Sequence, residues 1–138
     1  MDSSSEDQNP QNRSPRGMQR VLVADDEHVI ADTLRTILHQ SGFEAVAVYD
    51  GQDAVDTVRV WPPDIFLTDV MMPGVNGIEA AIRVRKMIPT CHVLLFSGDI
   101  GTRDLRHKAH LVGNDFEMID KPIHPNDLLV RLRALPIS

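Results

Sequence analysis

From residue 20 onward, short apolar runs alternate with amphipathic stretches. The first run, RVLVA, has strand length and stops at Asp25, Asp26 and Glu27. HVIADTLRTILHQSG follows, with Ile30, Leu34, Ile37 and Leu38 at helical spacing and Gly42 as a helix stop. FEAVAVY is rich in strand formers, and DGQDAVDTVRVW reads as a short helix ended by Pro62 and Pro63. DIFLT is the next buried run, and GIEAAIRVRKMI is helical, its Ile78, Ala81, Ile82 and Val84 set apart from its charged residues. HVLLFS is again strand-like, GTRDLRHKAHLVG again helical, and DFEMID with PNDLLVRLRAL completes a fifth strand–helix pair.

Apolar runs that do not alternate with polar residues predict strands buried on both faces, hence parallel strands covered by helices. Five such pairs in strict alternation predict an α/β fold, a doubly wound five-stranded parallel sheet with helices on both faces. Residues 1–18 differ: MDSSSEDQNPQNRSPRGM is polar and lacks the apolar middle of a signal peptide. It reads as a flexible polar tail before a domain over 19–135, with 136–138 as a short C-terminal end.

Composition narrows the function classes. A net charge of −6 without a basic run argues against direct nucleic-acid binding. No apolar stretch approaches the roughly 18 residues of a membrane span. One cysteine, Cys91, excludes an intramolecular disulfide; it fits a reducing, cytoplasmic setting and reads as a core residue within CHVLLF.

In doubly wound sheets, ligands bind beyond the carboxyl ends of the strands, where the strand order reverses. The predicted strand ends bring forward Asp25 and Asp26, Asp69, Ser97 and Lys121. Asp69 on its own is open to several readings: a strand-ending polar residue, a helix cap, a metal ligand or a nucleophile. Together, three carboxylates repel one another unless cations join them. Lys121 offsets one charge, and a divalent hard cation such as Mg2+ offsets the other two. This set suits phosphoryl transfer, with Asp69 as nucleophile and Lys121, Ser97 and the cation facing the phosphoryl oxygens.

VLVADDE, PPDIFLTDVMMPGVNGIE, VLLFSGD and IDKPI, in that order, resemble the receiver domain of two-component response regulators over about residues 19–135. The resemblance implies the flavodoxin-like receiver fold. It implies Asp69 as phosphoacceptor, Asp25, Asp26, Asp69 and the Met71 carbonyl as ligands of Mg2+ (or Mn2+), Ser97 as switch hydroxyl and Lys121 as the active-site lysine. The partners it implies are a sensor histidine kinase or histidine phosphotransfer protein and a downstream protein target.

Two departures stand out. Receivers usually carry Tyr or Phe three residues before the lysine; Met118 stands there, with Phe116 two residues earlier and about 7 Å away on the same side of a regular strand. An altered aromatic switch is therefore expected. The segment from Ser97 to Lys121 is also long for the family, with HLVGNDFE the site of added length and Asp99 a candidate for tuning water access.

Other residues read more plainly. His107 and His110 suit a solvated helix face, and His28 and Glu27 suit the start of a helix. Trp61 suits a loop anchor, and Asn126 or a neighbour suits the cap of the last helix. Because the chain ends after its last helix, a stand-alone receiver is the leading expectation. The alternatives are a degenerate receiver acting as a constitutive interaction module and a fragment of a longer regulator. An aspartyl phosphatase is disfavoured, since Met71 stands where its second acid belongs.

Overall fold

The computed structural model describes residues 18–97 and 116–136. Its elements are β1 (Arg20–Ala24), α1 (His28–Gln40), β2 (Glu44–Val48), α2 (Gly51–Val60), β3 (Ile65–Asp69), α3 (Gly77–Met87), β4 (His92–Ser97), β5 (Glu117–Asp120) and α4 (Pro125–Arg133). The helix expected over GTRDLRHKAHLVG, with Asp99, His107, His110 and most of HLVGNDFE, lies outside the described residues, as do residues 1–17 of the tail.

All strand pairs are parallel, and the spatial order is β2-β1-β3-β4-β5. The chain moves outward from β1 to β2 and then returns to the opposite side of β1 to lay down β3. The strand order thus reverses between β1 and β3, the place where such sheets open a crevice.

Each central strand supplies both layers of the core. Leu22 and Ala24 of β1, Phe66 of β3 and Val93 and Leu95 of β4 pack with Ala54, Val55 and Val58 of α2 and with Ile78, Ala81 and Val84 of α3. The alternate residues, Val21, Val23, Ile65, Leu67, Leu94 and Phe96, pack with Ala31 and Leu38 of α1 and with Leu128 and Leu132 of α4. Burial on both faces explains why these runs show no period of two. The expectation fails at the rims of the sheet. Four of the five β2 residues are only partly buried, and in β5 only Ile119 is fully buried while Glu117 and Asp120 are exposed, because an edge strand has a neighbour on one side alone.

Helix ends follow local chemistry. At the end of α1, Phe43 N–H bonds Leu38 O (3.0 Å) and Gly42 N–H bonds His39 O (3.3 Å). Gly42 has φ +96°, the left-handed value this termination requires. Asp50 caps α2 and Asn76 caps α3, each side chain accepting a backbone N–H three residues on. At α4 the cap is His124, whose Nδ1 accepts the Asn126 N–H (3.1 Å), so Asn126 is the donor and not the cap.

Candidate functional site

Because β1 and β3 are neighbours, the residues that leave their carboxyl ends arrive side by side. Backbone bonds continue past the strands and hold these exits: Asp25 N–H to Val48 O (3.2 Å), Val70 N–H to Phe96 O (3.1 Å) and Lys121 N–H to Ser97 O (2.8 Å). The last ties two predicted site residues together directly. The Lys121–Pro122 peptide that follows is cis.

Carboxylate oxygens of Asp25, Asp26 and Asp69 all lie within 4.8 Å of one another. Lys121 reaches over them, its Nζ 3.1 Å from Asp25 Oδ2 and 3.6 Å from Asp69 Oδ1. Asp25 is buried and doubly engaged, since its Oδ1 also accepts the Glu27 N–H (2.9 Å). Asp69 is held more loosely, and among the described residues Lys121 is its only side-chain partner. Asp26 is exposed and opens the cluster to solvent. One carboxylate is thus locked, one is reachable, and one keeps lone pairs for chemistry.

Electrostatics support this division. Burial pushes the Asp69 carboxyl above its ordinary 3.8; the Lys121 ammonium pulls it down, and the Asp25 and Asp26 charges push it up again. For Lys121, burial alone would lower the ammonium. The hydrogen bond to Asp25 and the charges of Asp69 and Asp25 outweigh it, and the net shift is upward from 10.5. Three carboxylates against one ammonium leave two uncompensated negative charges. An all-oxygen donor set of this size, open on one side, fits a hard divalent cation that keeps part of its water shell.

The loop from Val70 to Asn76 is shaped around Asp69. Val70 and Met72 are buried, while Met71 between them is exposed. Gly77 N–H closes the loop on Val70 O (2.8 Å). A Cβ at Gly77 would lie 1.9 Å from the Asp69 carbonyl oxygen, so only glycine lets α3 start this close to the strand. Thr68, wholly buried, donates its hydroxyl to the same carbonyl (3.0 Å). Sequence reading passed over Thr68, which looks like one more residue of an apolar strand.

Phe116 lies just before β5, buried in the α2/α3 side of the core, and partly buried Met118 packs against that same side. The shared face is as expected. The Arg85 guanidinium stands 5.1 Å from the Phe116 ring centroid. His28 is exposed and stacks on Tyr49 at 3.8 Å, and Tyr49 in turn donates its hydroxyl to Asp32 (2.6 Å). Glu27 holds the N-cap position of α1 without a side-chain capping bond. Trp61 does anchor its loop, packed against the α2/α3 core beneath Arg20, and Cys91 is a core residue.

The family model described as response regulator receiver domain matches residues 21–133. The DNA-binding response regulators MtrA of Mycolicibacterium smegmatis and Mycobacterium tuberculosis are each 34% identical over 116 residues, 84% of this chain and 50% of theirs. The chain therefore spans about half the length of these relatives. Because they are described as DNA-binding, they lend no support to the expectation that nucleic acid is not a partner. Among solved structures, a two-component transcriptional regulator from Clostridium phytofermentans superposes with a TM-score of 0.69 at 30% identity, covering 83% of this chain and 89% of that one. The chemotaxis protein CheY4 of Vibrio cholerae superposes with a TM-score of 0.72 at 25% identity, covering 85% and 98%. A CheY-like receiver from Methanospirillum hungatei, at 23% identity and a TM-score of 0.76 over 85% of this chain and 92% of that one, shares the flavodoxin-like fold. Among the described residues, no helix is long and apolar enough to cross a membrane. With this fold, this match and the acid cluster at the strand reversal, the chain belongs to the response regulator receiver domains of two-component systems.

Proposed function

We propose that Asp69 accepts a phosphoryl group from a phosphohistidine on a cytoplasmic sensor kinase or histidine phosphotransfer protein. The modified domain then engages a downstream protein through a changed surface. The observation that carries this reading is the position of Lys121, which bridges buried Asp25 and loosely held Asp69 within a cluster still two charges short of balance. A purely structural ion pair needs no second and third carboxylate.

In the transfer, an Asp69 carboxylate oxygen attacks phosphorus as the P–N bond to the donor imidazole breaks. The departing imidazole nitrogen takes its proton from solvent, and the product is an acyl phosphate on Asp69. Lys121, kept charged by its carboxylate neighbours, moves its ammonium from Asp69 to a phosphoryl oxygen, and the Ser97 hydroxyl donates to another. When bound by Asp25, Asp26, Asp69 and the Met71 carbonyl, Mg2+ or Mn2+ supplies the remaining positive charge. Met71 offers no acid for hydrolysis, so the chemistry stops at self-phosphorylation and slow loss rather than enzymatic turnover. Output runs through Met118 instead of a strand-borne aromatic, and Phe116 keeps its rotamer when a phosphoryl mimic binds.

Acetyl phosphate with Mg2+ followed by intact mass measurement tests the central claim. The wild-type chain gains one phosphoryl group and Asp69→Asn gains none; an unchanged wild-type mass overturns the proposal. Failure to bind Mg2+ or beryllofluoride would point instead to a constitutive interaction module.

A further inference from the structure

The loop after Asp69 is fixed at its start by Val70, whose N–H bonds Phe96 O (3.1 Å) and whose carbonyl accepts the Gly77 N–H (2.8 Å). Its far end meets a separate element. A Cβ built on Gly51, the first residue of α2, would lie 2.0 Å from the Val75 carbonyl oxygen, 2.8 Å from its carbon and 2.9 Å from Val75 Cβ. Carbon–oxygen contacts of this kind settle at about 3.3–3.6 Å, so any side chain at position 51 forces a separation of more than about 1 Å. Gly51 is not among the positive-φ glycines, Gly42 and Gly74, so its backbone conformation is open to any residue. What excludes a side chain there is close approach of Val75, its carbonyl oxygen nearest of all.

The two parts differ in how readily they yield. Ala54, Val55 and Val58 bury α2 in the core, and the Asp50 side chain caps its first turn (2.7 Å). The segment from Met71 to Val75 is short and closed on itself, with Met72 buried and Gly77 N–H bonded to Val70 O, so Val75 and Met71 belong to one small loop. We propose that Gly51 is a positioning residue for the cation site: its bare α-carbon seats the Val75 carbonyl, and that seating sets the Met71 carbonyl against Asp25, Asp26 and Asp69. This rests on the reading of those four residues as cation ligands.

Calorimetric titration of the full chain with Mg2+ tests it. Gly51→Ala weakens Mg2+ binding about tenfold. Its acetyl phosphate reaction needs correspondingly more Mg2+ yet reaches the wild-type plateau. Gly42→Ala is the control: at φ +96° with no atom within 4 Å, it loses stability through backbone strain and keeps wild-type Mg2+ affinity. A Gly51→Ala affinity within about a factor of two of wild type, whatever its melting temperature, overturns the proposal. Amide resonances supply a reading on the wild type alone, independent of whether the variant folds. Those of Gly51 and Val75 shift with Mg2+ at the same midpoint as Asp69, while Gly42 stays still; a stationary Gly51 also overturns the proposal. A wild type that binds Mg2+ but takes no phosphoryl group refutes the proposed function and leaves the Gly51 measurements decisive. Absence of Mg2+ binding refutes both.

Discussion

At the amino ends of the strands, Arg20 is matched to its surroundings: Nε meets Glu44 at 3.3 Å, its guanidinium lies 5.0 Å from a Trp61 ring centroid, and its backbone N–H bonds Asp64 at 2.9 Å. At the carboxyl ends of the same sheet, Lys121 contacts Asp25 and Asp69 within a cluster that includes Asp26, with Asp25 buried and Asp69 partly so. Both ends carry charge on strand termini, yet one is close to balance and partly exposed while the other is more acidic, partly buried and open to solvent chiefly at Asp26. An exposed pair gains about 0–1 kcal/mol, a modest structural return. Carboxylates drawn together under partial burial oppose folding unless something binds them. A charge deficit that folding alone does not favour is what distinguishes the working end of this sheet.

The difference can be broken most strongly by removing the cation at each end. Lys121→Met slows acetyl phosphate labelling by about 10²–10³-fold, as loss of a group facing a developing phosphoryl charge does. Arg20→Met leaves the rate at the wild-type level; equal loss in both variants would erase the distinction. Metal linkage is the next largest effect. Mg2+ at a hundredfold excess over its Kd stabilises the wild type by about 2.7 kcal/mol in urea denaturation. Asp26→Asn, an exposed position, abolishes most of that gain, whereas Asp64→Asn at the opposite end retains it.

Titration sharpens the comparison with a sign. Burial raises the Asp69 pKa above 3.8, so the folded chain keeps this proton at pH values where the unfolded chain has lost it. The group's contribution is most favourable below 3.8 and declines as pH rises through the folded-state value; ionised Asp69 is a net cost at neutral pH. Metal-free Asp69→Asn therefore melts at a higher temperature than wild type at neutral pH, and the gain shrinks as pH falls towards 3.8. A lower melting temperature at neutral pH would mean that the Lys121 contact outweighs burial. The smallest effect belongs to the balanced end, where Glu44→Gln costs under about 1 kcal/mol and leaves labelling and Mg2+ linkage unchanged.

Much of the site was legible in the linear chain because strand ends are. A run such as DIFLT stops being apolar where the sheet stops being covered, so Asp69, Asp25 and Lys121 announce their own location. The limits of that logic appear at β2 and β5, which read with the other strands as buried on both faces and which edge positions leave only partly covered. Composition records how apolar a strand is, and only the sheet order says whether it has two neighbours. Capping was legible only to within a neighbour: Asn126 has a cap's chemistry, but His124 occupies the extended position that precedes the helix. The stacking of His28 on Tyr49 joins α1 to the end of β2, a pairing with no signature in either segment.

By itself the sequence determined the fold class, the five strands, the set of acids and the lysine at their ends, and the displaced aromatic at Phe116. These are local or periodic properties: hydrophobic period, turn chemistry, and a charged residue at the end of an apolar run. Only the tertiary structure decided the distances that turn those residues into a site. Lys121 lies 96 positions from Asp25 and meets it at 3.1 Å, because β4 and β5 pair and the strand order reverses between β1 and β3. Gly51 and Gly77 reveal their roles only in space. A glycine seated against a distant carbonyl looks, along the chain, like any other start of a helix.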